Sequence, residues 1–285
     1  MTKDIAVLIE EKMPTLSKGQ KRIANVITQS YEKTAYMTAA KLGAASGVSE
    51  STVVRFANEL GFEGYPEFQR AVQELVRTRL TPNQRIEVTN TRIGDNDLLS
   101  SVMTDDIEKI KFTLDNIDRE SFNNAVQSII RAKHIYIFGV RSSSFLASFL
   151  HFNLSLIFEN VKLIQPTNTS EVFEQILDID SNDVMIAISF PRYSSKAVNA
   201  VKYAQAQNAA VIALTDSQSA PIAQYANHLL TAQSDMASYV DSLVAPLSII
   251  NAIIVQITKL LPNEVKERFD KLERVWDEYE VYATR

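Results

Sequence analysis

Three clusters of side chains have the types and spacing to recognise a base edge or an anion. In the first, Glu50, Ser51, Thr52, Arg55 and Asn58 share one face of a short periodic segment. Its other face carries Val53, Phe56 and Leu60, three and four residues apart. An anchored apolar back with short polar groups and an arginine in front is what a helix needs to lie in a major groove. Arg55 would then pair with a guanine or a phosphate. Ser49 stands at the N-cap, and its helix would present N-terminal N–H groups to a phosphate. Gly47 ends a preceding short helix where positive φ is wanted, and Leu42 and Ala45 are expected to face inward from that helix. Gly43 is expected to weaken it slightly. Lys18, Lys21, Arg22 and Lys41 are candidate contacts to a nucleic-acid backbone. An ordinary helical hairpin uses the same caps, so both readings stand at this point.

The other two clusters follow short apolar runs. One is Phe138-Gly139-Val140-Arg141-Ser142-Ser143-Ser144; the other is Ser189-Phe190-Pro191-Arg192-Tyr193-Ser194-Ser195. Each enters a helical pattern. Hydroxyls and N–H groups at a helix start suit a phosphate, although simple helix capping uses the same serines. Acid–base chemistry has weaker support. His151, Glu171, Glu174 and His228 are the candidates. His151 sits mid-helix among apolar residues, His228 is expected at the surface, and no acid–base constellation forms. Nothing calls for a cofactor or a metal. The chain has no cysteine and 3 histidines, which excludes thiolate chemistry and disfavours a His-built metal site.

The elements that must carry these clusters have two textures. From Ile5 to about Arg79 the apolar spacing is helical throughout. Thr81 to Asp97, with Pro82, Asn83, Asn90, Gly94 and Asn96, is expected as a polar linker. Helical patterns return at 98–114 and 122–129. Strand-like runs then fall at 134–138, 161–164, 183–188, 210–214 and 228–231. Helices are expected at about 143–158, 194–207, 222–226 and 240–261, and an amphipathic one after Pro262. Strand alternating with helix implies a parallel sheet. The expected divisions are 1–79, a linker and connecting helix at 80–120, an α/β domain at 121–262 and a terminal helix at 263–285.

The 285 residues carry a net charge of −5, which argues against a nucleic-acid binder until the charge is divided. Positions 1–80 hold 11 basic and 9 acidic residues; positions 81–285 hold 18 and 25. The mildly basic part is the helical one. The N-terminus lacks an apolar signal core, and the stretch 243–261 is interrupted by Pro246, Asn251, Gln256 and Lys259. A cytoplasmic protein with no membrane partner is therefore expected.

The run from Val48 to Phe68, with its VS-x-x-TVVRF…LGF-x-GY-x-x-F pattern, resembles the DNA-binding domain of RpiR-type (MurR/RpiR) bacterial transcription regulators, over about residues 1–77. That family joins this domain to a sugar isomerase (SIS) domain, in keeping with the texture after residue 120. The resemblance implies an all-helical helix-turn-helix domain followed by a SIS-type α/β domain with a five-stranded, mostly parallel sheet flanked by helices. It implies double-stranded operator DNA and a phosphosugar or sugar-acid effector as partners, and a homodimer or homotetramer. The function implied is regulation, as a repressor first, of carbohydrate metabolism by a non-enzyme; a SIS-type phosphosugar isomerase is the alternative.

SIS loops usually read G-x-G-x-S and S-x-S-G-x-T/S. Gly139, Ser143, Ser189 and Ser194 match, whereas Arg141 and Arg192 stand where glycine is usual and Pro191 where serine is. The effector set is thus Gly139, Arg141, Ser142, Ser143, Ser189, Arg192, Tyr193 and Ser194. The DNA-binding set is Lys41, Ser49, Glu50, Ser51, Thr52, Arg55 and Asn58. The two arginines either clamp an anion or fill the pocket and contact another subunit.

Overall fold

The computed structural model describes residues 5–79, 81–93, 97–168, 170–235 and 238–282. The chain divides into two compact units, Met1–Val102 with Asp235–Asp241, and Met103–Ser234 with Ser242–Arg285.

The first unit is built from α1 (Ile5–Lys12), α2 (Lys18–Gln29), α3 (Tyr31–Thr34), α4 (Ala39–Ser46), α5 (Glu50–Glu59), α6 (Tyr65–Arg79) and α7 (Pro82–Ile93). A capping box starts α2: Gln20 N–H donates to Ser17 Oγ, and the Ser17 N–H donates to Gln20 Oε1 at 2.9 Å. The apolar faces of α2, α4, α5 and α6 meet in one core around Ile23, Ile27, Leu42, Val53, Phe56 and Phe68. The expected linker at 81–97 is instead largely helix α7. Its start carries the same reciprocal cap: Thr81 N–H donates to Gln84 Oε1 at 2.9 Å, and Gln84 N–H donates back to Thr81 Oγ1. Proline follows in the first helical position. Polar composition concealed this: a residue that holds α7 in place is Arg85, only 1% exposed and ion-paired to Asp241 at 2.9 Å. Gly94 and Asn96 lie outside the described residues.

The second unit contains most of α8 (Leu98–Asn116), then α9 (Arg119–Arg131), α10 (Ser142–Ile157), α11 (Ser170–Gln175), α12 (Ser195–Ala206), α13 (Val244–Leu260) and α14 (Pro262–Glu278). The helix expected at 222–226 is only a single 3₁₀ turn, Ala223–Tyr225, which begins two residues after Pro221. The strands are β1 (Ile135–Gly139), β2 (Val161–Ile164), β3 (Val184–Ile188), β4 (Ala210–Thr215) and β5 (His228–Thr231). They pair in the order β2-β1-β3-β4-β5, and every pairing is parallel. Both faces of the sheet are covered, so β1, β3 and β4 read as continuous apolar runs. Ile135, Ile137, Val184 and Ile186 pack under α9, α10 and α13. Tyr136, Phe138, Met185 and Ala187 pack under α11 and α12. Strand order reverses at β1, which makes the crevice beyond the carboxyl ends of β1 and β3 the place where such a sheet binds ligands.

No single helix among the described residues is long and apolar enough to cross a membrane.

Candidate nucleic-acid interface and effector crevice

Gly47 ends α4 at φ 64°, and the Val48 N–H closes onto the Gly43 carbonyl at 2.9 Å. Gly43 does more than weaken its helix. A Cβ there would sit 2.9 Å from the Val48 carbonyl oxygen and 3.3 Å from the Glu50 nitrogen. Glycine is what lets α5 turn this tightly against α4. Ala45, expected inside, is exposed; Gly43 and Ser46 are buried in its place, so the inward face of α4 lies to either side of Leu42 and Ser46.

Val53 and Phe56 of α5 are fully buried, and Phe56 meets Phe68 edge-on at 5.6 Å. The opposite face presents Glu50, Ser51, Arg55 and Asn58 to solvent, with Thr52 half-buried. Ser49 has the extended backbone of an N-cap but caps no N–H; its hydroxyl bonds instead to the hydroxyls of Ser51 at 3.0 Å and Thr52 at 2.9 Å. The first turn of α5 therefore has no side-chain cap. Arg55 Nε donates to the Ser51 carbonyl at 3.3 Å. Lys18, Arg22 and Lys41 are exposed and Lys21 half-buried, and Arg22 lies beside Gly47. The hairpin is fixed from behind by α6. Tyr65 Oη and Gln69 Nε2 both donate to the Met37 carbonyl at 2.7 Å, and Gln73 Nε2 donates to the Ala35 carbonyl at 3.0 Å. Burial pushes the Tyr65 hydroxyl up to about 12, so it stays a donor at neutral pH.

In the α/β unit, Gly139 pairs with Ile188, so the loop after β1 and the loop after β3 emerge side by side. They bring Gly139, Arg141, Ser142 and Ser143 to the same end of the sheet as Ser189, Arg192, Tyr193 and Ser194. A Cβ on Gly139 would lie 2.5 Å from the Ser143 carbonyl oxygen, so α10 starts as close to β1 as glycine permits. Arg141 has φ 57° and ψ −128°, and Arg192 has φ 64°. Both arginines that stand in for glycine thus hold the left-handed φ that favours glycine, and both side chains are exposed.

Ser143 and Ser189 are 4% exposed. Ser194 caps α12 by accepting from the Lys196 N–H at 3.2 Å, and Ser144 Oγ donates to the Arg141 carbonyl at 2.6 Å. Sequence reasoning missed what holds the second loop. Tyr193 Oη donates to the Asp216 carboxylate at 2.9 and 3.1 Å, and Thr215 Oγ1 donates to the Ser189 carbonyl at 2.6 Å. The signal was the pair Thr215-Asp216 at the carboxyl end of β4, next to the crevice.

The acid–base candidates do not converge. His151 and Ser155 share a bond of 3.3 Å within α10. Glu171 accepts from Thr167 and Asn168, and the Thr167 hydroxyl above all holds its carboxyl below the usual range, which makes it a poor base. His228 is half-buried rather than at the surface; it shares a 2.9 Å bond with Ser128, and burial lowers its pKa. Among the described residues no three His, Cys, Asp or Glu side chains are grouped to hold a metal.

Residues 3–78 match the helix-turn-helix domain of the rpiR family, and residues 128–256 match the SIS domain. Over 280 residues the chain is 26% identical to the HTH-type transcriptional regulator HexR of Escherichia coli, covering 94% of this chain and 91% of that one. An uncharacterized HTH-type transcriptional regulator of Haemophilus influenzae is 25% identical, with 89% and 91% covered. The sugar isomerase domain of an RpiR transcription factor from Sphaerobacter thermophilus superposes with a TM-score of 0.60 at 26% identity, covering 63% of this chain and 99% of that one. Vibrio vulnificus NanR, solved with ManNAc-6P, shares the fold along 98% of this chain and 100% of its own, with a TM-score of 0.61 at 19% identity. With both parts matched in this order and relatives aligned along nearly their full length, the chain belongs to the RpiR-type family of helix-turn-helix transcriptional regulators that carry a SIS domain.

Proposed function

We propose that this regulator is a repressor whose crevice binds a phosphorylated sugar and whose α5 reads a two-fold operator as a homodimer in the cytoplasm. Residues 1–79 bind DNA, 80–120 connect, 121–262 sense and 263–285 close the chain. Glu50, Ser51, Thr52, Arg55 and Asn58 face the bases, with Lys41 and Ser49 on the backbone. Gly139, Arg141, Ser142, Ser143, Ser189, Arg192, Tyr193 and Ser194 form the effector site. The observation that carries the effector reading is the pair of exposed arginines held at φ 57° and 64° beside buried serines. Strained backbone of this kind persists where the side chain's position matters. NanR bound to ManNAc-6P makes that compound the first to try. Sensing is favoured over turnover because three of the four acid–base candidates, His151, Glu171 and His228, are each engaged with a separate partner.

The test is a panel of sugar phosphates, screened by thermal shift and then by DNA mobility shift. Turnover of a sugar phosphate without DNA binding would overturn the reading. Arg55→Ala is expected to weaken operator binding by ~1–3 kcal/mol if Arg55 reads a base. Equal losses on operator and random DNA would make it a phosphate contact.

Tyr193→Phe removes the tether to Asp216 while keeping the ring. Its expected effect is about 1 kcal/mol or less on stability and a roughly fivefold to tenfold loss of effector affinity through a loosened loop. Calorimetric titration checks this, and unchanged affinity would leave Asp216 without a positioning role.

A further inference from the structure

The first unit takes one short segment, Asp235–Asp241, from the connection between β5 and α13, both of which belong to the second unit. This strap follows the carboxyl end of β5, the end of the sheet at which the crevice lies. Its root hangs from the crevice through one fully buried residue, Thr215. Thr215 Oγ1 donates to the Ser189 carbonyl at 2.6 Å, and the Thr215 carbonyl accepts from the Ala232 N–H at 2.8 Å. Next along, the Gln233 N–H donates to Thr113 Oγ1 of α8 at 2.9 Å. Ser234 Oγ donates to the Ser242 carbonyl at 3.0 Å, which closes the strap at its base, and Ser242 Oγ donates to Asp106 of α8 at 2.6 Å. The strap has little apolar anchorage, since Tyr239 is 59% exposed and Val240 47%. Arg85 of α7 holds it in the first unit: its Nη1 donates to Asp241 Oδ1 at 2.9 Å and to the Tyr239 carbonyl at 3.5 Å. One turn further along α7, the Thr89 hydroxyl is buried with no hydrogen-bond partner among the described residues.

We infer that this strap, clasped by Arg85, carries the state of the crevice to the DNA-binding unit. A ligand that tightens the loop of Ser189, Arg192 and Tyr193 bears directly on Thr215 and its neighbour Asp216, which hold that loop. The Thr215 carbonyl passes a shift to Ala232, and the bonds to Thr113 and Asp106 take it to both ends of the strap. At the far end stands a buried ion pair. Such a pair adds little net stability, because desolvating both charges offsets their attraction. A displaced Asp241 is another matter: the Arg85 guanidinium cannot stay buried without its carboxylate, so α7 either follows the strap or releases it and both charges return to water. The buried Thr89 hydroxyl favours release further, since a polar group is better satisfied in water than buried without a bond. The clasp is thus a two-state element, and by reciprocity whatever loosens it must also alter the crevice loop. The inference rests on the proposed reading of the crevice as the effector site.

A string of bonds is not yet coupling, which needs an element that both ends bias, so the test perturbs each end and reads the other. Asp241→Asn keeps the shape of the clasp and removes its charge. Thr215→Val removes the bond to Ser189 and leaves no charge buried. Each full-length variant is compared with wild type by hydrogen–deuterium exchange, with neither DNA nor sugar phosphate present. Asp241→Asn is expected to speed exchange ~tenfold in α7 around Arg85, and also to speed it at the Ala232 amide and across Ser189–Ser194. Thr215→Val is expected to speed exchange around Arg85, although Thr215 belongs to the other unit. Changes confined to α7 and the strap in the first variant, or to the crevice loops in the second, would overturn the inference and leave Arg85 a local anchor. Should Asp241→Asn fail to fold, as loss of one partner of a buried pair can cause, Thr215→Val decides alone. No exchange result depends on which sugar binds. Failure here is therefore distinct from failure of the effector reading, which the thermal-shift panel tests separately.

Discussion

Replacing Arg141 and Arg192 by glycine is expected to raise the melting temperature and abolish most of the effector response. Both residues hold positive φ, 57° and 64°. A non-glycine residue there carries roughly 1–3 kcal/mol of strain that glycine does not. Glycine also widens the unfolded ensemble, at a cost of about 0.4–1 kcal/mol. The balance is a gain of about 1 kcal/mol per site, larger at Arg141. Its ψ of −128° lies outside the ordinary left-handed helical basin and inside a turn region dominated by glycine. For a unit of this size that is about 2–4 °C per substitution.

Affinity should move the other way. A charge-assisted bond between a guanidinium and a phosphate contributes about 1.5–3 kcal/mol, or roughly tenfold to a hundredfold per arginine. The thermal shift produced by a sugar phosphate should shrink accordingly. Arg141→Lys and Arg192→Lys keep the charge and the strain but lose the fork, and should fall between. Glycine variants that melt lower and bind as well as wild type would remove the arginines from the site and leave their backbone conformation without a functional reason.

The crevice was partly legible in sequence because SIS-type loops fix where glycine belongs, and Arg141 and Arg192 departed from that at two matched places. Only the backbone shows that the departures kept the glycine conformation. The sheet was legible because β1, β3 and β4 are buried on both faces and so appear as uninterrupted apolar runs. The recognition hairpin was legible because Val53, Phe56 and Leu60 keep helical spacing between Gly47 and Gly61. What escaped depends on partners far along the chain. Helix α7 looked like a linker because Arg85 is held by Asp241, 156 residues away. The tether from Tyr193 to Asp216 spans 23 residues and two loops. Periodicity finds the apolar stripe of α8 without saying which side is covered, and in this unit Lys109 and Thr113 face inward. A sequence pattern reports that a face exists; the arrangement of neighbouring elements decides what lies on it.

The largest stability effect is expected from one methyl group, in Gly139→Ala. The added Cβ would sit 2.5 Å from the Ser143 carbonyl oxygen, 2.9 Å from its carbonyl carbon and 3.2 Å from Ala147 Cβ. Two of these neighbours are backbone in the first turn of α10, so no flexible side chain can swing away. The helix itself must move, yet Leu146, Ala147, Leu150 and Leu154 lock it into the core beside Ile137 and Ile186. Overpacking of this kind costs typically 1–3 kcal/mol and occasionally more; an obstacle made chiefly of helix backbone argues for about 3 kcal/mol. The same displacement carries Ser142 and Ser143 away from Ser189 and Ser194, so the response to a sugar phosphate should be lost even where the protein remains folded. Gly64→Ala is the matched comparison, since a Cβ there meets only Pro66 Cδ at an ordinary 3.7 Å. Urea unfolding of the two variants separates the cases: Gly64→Ala should lie near wild type. A loss below about 1 kcal/mol for Gly139→Ala would mean that α10 can slide along β1, and that the register between the two crevice loops is not fixed by this glycine.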